Sequence, residues 1–256
     1  MKAKMVFPLL GVMLISLCYV QASSAGFPAS YKYTPTKVTG GGTITGVVTY
    51  SGDVPKLKPI EVNRDPDVCG KTPKYDESLV VGAGNTLKYA LVYLLDISKG
   101  MDFPTDKTYE IDQHGCQFIP HVQVVPLGQK LTMLNSDGIL HNIHTHGKGK
   151  GNEMNIAQPK FRKQLPVPLG EAEVGIKIGC DVHSWMGGWV SIMPHPYYAV
   201  TNEKGEYKIE NVPPGTYKLV YWQEYCGTNE KEPASVTIAA GGSVTQNFTL
   251  KKAAKK

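Results

Sequence analysis

No stretch of the chain repeats apolar residues at helical spacing over any length. Short runs rich in valine, isoleucine, threonine and tyrosine alternate instead with turn residues. Examples are GTITGVVTY, YALVYLLDI, HVQVVPLGQKLTML, VGIKIGC, WVSIM, GEYKIENV, GTYKLVYW, ASVTIA and SVTQNFTL. The 27 glycines and 18 prolines supply the punctuation between them. Many short strands at close spacing predict an all-β chain of the β-sandwich class, with at most a turn or two of helix.

Two blocks separate on pattern. The first, from about Tyr109 to Met193, carries nearly all the chemically distinctive residues. The second follows Pro196 and has a regular rhythm, AVTNEKGEYKIENVPPGTYKLVYW. There Asn202 to Gly205 predicts a hairpin turn and Pro213-Pro214-Gly215 a second turn, with alternating strands between them.

The candidate chemistry lies in the first block. Cys180, His183 and Met186 fall within CDVHSWM, and His141 to His144 form the run HNIH about forty residues upstream. One thiolate, one thioether and imidazoles suit a type 1 copper centre, with two histidines and a cysteine in a trigonal set and a weak axial methionine. Sulfur and nitrogen donors argue against magnesium and calcium, which prefer oxygen. His144 and His146 would share one face of a strand and His141 the other. His121, His144 and His146 are therefore alternative or additional metal ligands, and otherwise surface or hydrogen-bonded imidazoles. His114 and His195 read as structural. Other reaction classes lack their motifs: there is no G-x-S-x-G, H-E-x-x-H or P-loop, no C-x-x-C-H for covalent haem, and no H-C-H relay to a second copper.

Lys2, Lys4, an apolar run from Met5 to Val20 and QASSA form the three regions of a secretory signal peptide, with a cut expected before Gly26. The 16-residue run contains Pro8 and is short of the ~20 residues of a spanning helix. The protein is expected to be periplasmic or secreted, and not an integral membrane protein after cleavage. Loss of Lys2 and Lys4 lowers the formal charge from +5 to +3, and the four lysines of the tail at 251–256 exceed that remainder. The folded body is close to neutral, which removes the case for nucleic-acid binding. An oxidising compartment permits disulfides. With Cys180 on a metal, Cys69, Cys116 and Cys226 leave one pair and one odd thiol.

The second block resembles a known family. T-x-x-x-G-x-Y-x-I-x-x-V-P-P-G-x-Y-x-L is similar to the carboxypeptidase regulatory-like, or transthyretin-like, β-sandwich. That family's opening strand resembles Gly42 to Val48, and its second resembles LKYALVYL, Leu87 to Leu94. The resemblance implies a split domain, 40–100 plus 196–250, with a copper domain at 108–195 inserted between two of its strands; the alternative is three serial modules.

The first block resembles the cupredoxins, Greek-key sandwiches of the small blue copper proteins, and its C-x2-H-x2-M loop is most like that of the amicyanins. That resemblance implies His141, Cys180, His183 and Met186 as ligands of one type 1 copper. It also implies that Asn142 ties the histidine loop to the cysteine loop behind the ligands. Chains with both blocks resemble one another at Cys69 and Cys116, which implies a 69–116 disulfide, pairings with Cys226 staying open. The expected function is single-electron transfer, with no enzyme activity, to a redox partner such as a c-type cytochrome or a dehydrogenase. The alternatives are copper storage or delivery, and a structural surface protein with a non-redox metal site.

Overall fold

A computed structural model describes residues 26–28 and 30–253. The signal peptide expected at 1–25 and the tail residues 254–256 lie outside the described residues. The described chain is built of strands, with one four-residue α-helix, Pro66–Cys69, and one short 3-10 turn, Ala83–Asn85.

Residues from both ends of the chain make one pair of sheets. The first sheet runs in the order Tyr198–Val200, Leu91–Leu94, Gly215–Gln223, Gly227–Thr228, with Ala234–Ile238 also on Gly215–Gln223. The second places Glu206–Val212 and Ser243–Thr245 on either side of Gly42–Tyr50, which also pairs with Phe248–Leu250. Ile44 lies opposite Ile209, and Leu94 opposite Leu219. The strand GTITGVVTY alternates strictly between buried and half-buried positions, as period-2 side chains on a half-covered sheet must. Its Ile44, Val48 and Tyr50 meet Val92, Leu94, Leu219, Val236 and Ile238 from the other sheet in one core.

Between these strands the chain builds a second pair of sheets. One has the order Glu153–Gln158, His141–His146, Glu173–Gly179, Gly187–Met193, Val122–Pro126. The other has the order Gln164–Val167, Leu131–Asn135, Tyr109–Gln113, Phe118–Ile119. Their shared core includes Ile111, Phe118, Leu131, Met133, Ile143, Ile178 and Val190. A third apolar cluster joins the two pairs of sheets: Leu91, Tyr93, Val220 and Trp222 from the flanking pair meet Val124, Val174 and Met193 from the central pair.

Two local expectations are corrected. The run Leu87–Leu94 forms a ladder strand only over Leu91–Leu94. Tyr89 takes a left-handed backbone (φ 65°), and the Thr201 hydroxyl replaces the ladder by accepting from Ala90 N–H at 2.9 Å and donating to the Leu87 carbonyl at 2.7 Å. Asn202–Gly205 is a tight turn but no hairpin, because Tyr198–Val200 and Glu206–Val212 pair in different sheets. The Asn202 side chain accepts from the Lys204 and Glu206 amides, and Gly205 has φ +68°, so the turn carries the chain from one layer to the other.

The joint between the two halves depends on Gly175. It sits at φ +76°, where an added Cβ would lie 2.6 Å from the Trp222 indole. Trp222 in turn packs edge-on to Trp189, ring centres 5.1 Å apart. Gly175→Ala meets both backbone strain and an indole already packed against Trp189, and should lower unfolding stability by about 2 kcal/mol or more. Urea denaturation checks this; an unchanged midpoint would mean that the indole has room to move.

Candidate metal centre

The residues CDVHSWM close the end of an antiparallel pair. Gly179 pairs with Gly187 across the hairpin, and the loop between them is pinned by the Met186 amide donating to the His183 carbonyl at 2.9 Å. The strand His141–His146 lies beside Glu173–Gly179 in the same sheet, with Gly179 opposite His144, so His141 reaches past the ladder to the loop. Cys180, His141, His183 and Met186 are all buried, Cys180 being 4% exposed.

One nitrogen of each of His141 and His183 converges with the cysteine sulfur. His141 Nδ1 is 3.8 Å and His183 Nδ1 3.7 Å from Cys180 Sγ. All three donor atoms lie within 4.8 Å of one another. A metal at about 2.3 Å from sulfur and about 2.0–2.1 Å from nitrogen, with an angle of about 120° between the bonds, separates sulfur from nitrogen by about 3.8 Å. Both sulfur–nitrogen distances therefore fit a trigonally held ion, and the softness of the donors fits copper.

Both imidazoles are oriented from behind by carboxylates. His141 Nε2 bonds Asp137 Oδ2 at 2.9 Å, and His183 Nε2 bonds Asp65 Oδ2 at 2.8 Å. A proton held on Nε2 leaves the Nδ1 lone pair facing the sulfur, the arrangement by which carboxylates fix metal-binding histidines. Asp137 also accepts from the Gly115 and Cys116 amides at 2.6 and 2.8 Å, and Asn135 accepts from the Gly138 amide to shape that turn. Burial opposes charge on the Asp137 carboxyl, but His141 and these amides hold it below its usual range.

The Cys180 thiol is likewise pulled down. Burial works against its ionisation, yet His141 and the backbone amides of Asn142, His183 and Val182 more than offset it. The Asn142 amide lies 3.5 Å from the sulfur. The Asn142 side chain spans the two loops: its Oδ1 accepts from the Asp181 amide at 2.6 Å, and its Nδ2 donates to Asn155 Oδ1 at 2.7 Å and Asp181 Oδ2 at 3.1 Å. Burial also disfavours charge on His141, but Asp137 and Cys180 raise its pKa to about 9. His183 is shifted down, chiefly by burial.

The other histidines stand elsewhere. His144 and His146 lie 4.2 Å apart between tilted ring centres on the outer face of their strand, and His144 Nδ1 bonds Asp181 Oδ1 at 2.9 Å. Neither belongs to the converging set. His121 is buried against Glu224 in the joint between the two pairs of sheets. His195 is a core residue bonded to the Leu94 carbonyl, its pKa pushed down to about 4 by burial, and His114 lies in a turn.

Of the two orienting carboxylates, only Asp137 had a signal in the sequence. The signal present was N-S-D four residues before a histidine, a spacing that lets a carboxylate fold back on the ring. Asp65 had no such signal, because it arrives from the long segment before Leu79. Cys69 and Cys116 form a disulfide, with Cys226 a buried thiol whose pKa is pushed up to about 12 by burial. The disulfide ties the helical turn after Asp65 to the turn that Asp137 holds, and both sulfurs lie within 4.8 Å of a His183 nitrogen.

Residues 190–251 match the family model of the carboxypeptidase regulatory-like domain. The matched segment covers the second run of strands of the flanking pair. Among solved structures the chain is similar to an oxidised amicyanin variant, with 17% identity over 46% of this chain and 94% of that one and a TM-score of 0.30. It is also similar to amicyanin from Paracoccus versutus, with 18% identity over 36% and 86% of the two chains and a TM-score of 0.29. A copper-containing nitrite reductase from Thermus scotoductus aligns with 15% identity over 39% of this chain and 25% of that one, TM-score 0.29. No curated protein matches the chain. Overlaps this loose leave the chemistry to the donor atoms themselves.

The disulfide closes a loop over a sequence separation of 47. Replacing Cys69 and Cys116 together by Ala should lower stability by about 4 kcal/mol, the chain-entropy value for a loop of this length. Guanidinium unfolding measures it; a loss under about 1 kcal/mol would show that packing alone holds the Asp65 segment.

Proposed function

We propose that the chain is an exported blue copper protein that carries single electrons and catalyses no reaction of its own. The observation that carries the reading is the convergence of two carboxylate-backed imidazole nitrogens on one buried sulfur. In this reading His141, Cys180 and His183 hold one type 1 copper. Met186, buried in the same core as Cys180, would be its fourth and weaker donor. When bound, the copper supplies a Cu(II)/Cu(I) couple that takes up and returns one electron.

The chain's own residues limit how far anything moves as charge changes. Asp65 and Asp137 hold the ring planes, and Asn142 holds the two ligand loops at a fixed separation. Ligands fixed in this way need little rearrangement between oxidation states. Burial excludes water from the sulfur, so the donor set is not completed by solvent. Half-buried Val182 and Trp185 flank His183, and exposed Leu140 precedes His141. Apolar residues beside a buried imidazole suit a small, transient docking face. The partner is a second redox protein, of the kind of a c-type cytochrome or a dehydrogenase. Among the described residues no helix is long and apolar enough to cross a membrane, and the proposed compartment is the periplasm or the exterior.

Replacing the sulfur is the direct test. Copper-loaded protein should show an intense thiolate-to-Cu(II) absorption that Cys180→Ser abolishes, leaving the weak absorption of ordinary Cu(II). Retention of the colour by Cys180→Ser would overturn the reading. His141→Ala should lose or strongly alter the band and His144→Ala should keep it; the reverse would move the first ligand by three residues.

Met186→Leu should keep the colour and raise the reduction potential, because losing a donor disfavours Cu(II) relative to Cu(I). Protein-film voltammetry reads the shift, and an unchanged potential would make Met186 a packing residue.

A further inference from the structure

The joint between the two pairs of sheets holds a cavity of about 350 Å³ whose polar groups the copper reading leaves unused. His121 and Glu224 line it, with Glu77, Trp185 and Met186 on other walls. The three polar groups come from three parts of the chain: Glu77 from the long segment before Leu79, His121 from the turn before Val122–Pro126, and Glu224 from the end of Gly215–Gln223.

Within the cavity, His121 repeats the arrangement seen twice at the copper ligands. Its Nε2 bonds Glu224 Oε1, and the Trp189 indole N–H donates to Glu224 Oε2 at 2.7 Å, fixing that carboxylate. A proton held on Nε2 leaves Nδ1 as the lone-pair nitrogen. That Nδ1 is buried and has no hydrogen-bond partner, and it faces Glu77 Oε2 at 3.9 Å, too far for a hydrogen bond. The His121 side chain is 7% exposed and Glu77 31%. A buried polar atom left unpaired costs stability unless something occupies the gap. Two metal bonds of about 2.1 Å span up to about 4.2 Å, so one ion reaches both atoms as they stand, and the part-exposed Glu77 can close in toward a narrower angle. Without an ion, burial disfavours the imidazolium, and Glu224, Glu77 and the Gly187 carbonyl together outweigh it.

We propose that His121 Nδ1 and Glu77 hold a second metal ion, a divalent transition ion of the zinc class, with Glu224 orienting the histidine from behind. Nitrogen and carboxylate donors suit such an ion. Water from the cavity completes its coordination, which leaves positions open to an exchangeable ligand. The ion also links the segment before Leu79, the central sheets and the flanking sheets. This site shares no ligand with the Cys180 set, so it stands or falls separately.

Zinc is the probe. Full-length protein carrying one equivalent of copper is titrated with Zn2+ by calorimetry, and the Cys180→Ser chain is titrated in parallel. Both should bind one further zinc at the joint. Glu77→Gln should weaken it by about tenfold or more, and Glu224→Gln by about 10–100-fold, the usual effect of losing an orienting carboxylate. Neither should move the visible band of the copper-loaded protein. Anomalous scattering at the zinc edge should place the ion about 2.0–2.2 Å from His121 Nδ1. The proposal is overturned if neither chain binds zinc beyond the Cys180 set. It is equally overturned if zinc binds as tightly to both variants, or if the anomalous peak lies on His144 and His146. Loss of the visible band from wild type with zinc still at His121 would instead count against the copper reading alone.

Discussion

A sulfur buried to 4% exposure has to meet its charge inside the protein, and the arrangement around Cys180 follows from that requirement. An isolated buried thiolate is costly, because nothing replaces the water it loses. Here the His141 ring and the backbone amides of Asn142, His183 and Val182 replace it. Each replacement must itself be held in place. Asp137 and Asp65 hold the rings, the amides of Gly115 and Cys116 hold Asp137, and the disulfide holds the segment that delivers Asp65. The network is therefore continuous from a helical turn packed against the core of the central sheets to the donor atoms. A donor set held this firmly before any ion arrives is suited to a metal that changes charge without changing ligands.

The architecture serves the same end. A loop closing two adjacent strands places Cys180 and His183 within three residues of each other, and a neighbouring strand brings His141 alongside. The central sheets rest on the flanking pair through an apolar cluster built around Trp222. The interior of that joint is not wholly apolar, and His121 with its two carboxylates is a polar cluster within it. Polar groups kept at a buried joint cost stability unless paired or occupied, and the second metal ion proposed here would occupy the unpaired His121 nitrogen.

Much of this was legible in the chain, for identifiable reasons. The alternation in GTITGVVTY and the turn residues around VPPG encode strands because a sheet with one covered face imposes period 2. CDVHSWM was readable because three unlike donors within seven residues have few other uses. The Asn142 position came only with a family resemblance, since Asn in a turn is ordinarily just a turn residue. Three things were out of reach. Asp65 and Glu224 act over 118 and 103 residues of sequence, and no local pattern records that separation. The turn at Asn202–Gly205 has hairpin chemistry, yet the strands it joins find longer partners in opposite layers, so tertiary pairing overrode the local signal. The shortening of Leu87–Leu94 depends on a threonine side chain from 111 residues away.

X-ray absorption at the copper edge of the loaded wild-type protein tests the central claim most directly, because it reads the donor atoms without a mutation. The account predicts one short sulfur and two imidazole nitrogens around the copper, at about 2.0–2.3 Å, in both oxidation states with little change between them. A shell of nitrogen and oxygen alone, or one that gains ligands on oxidation, would contradict it.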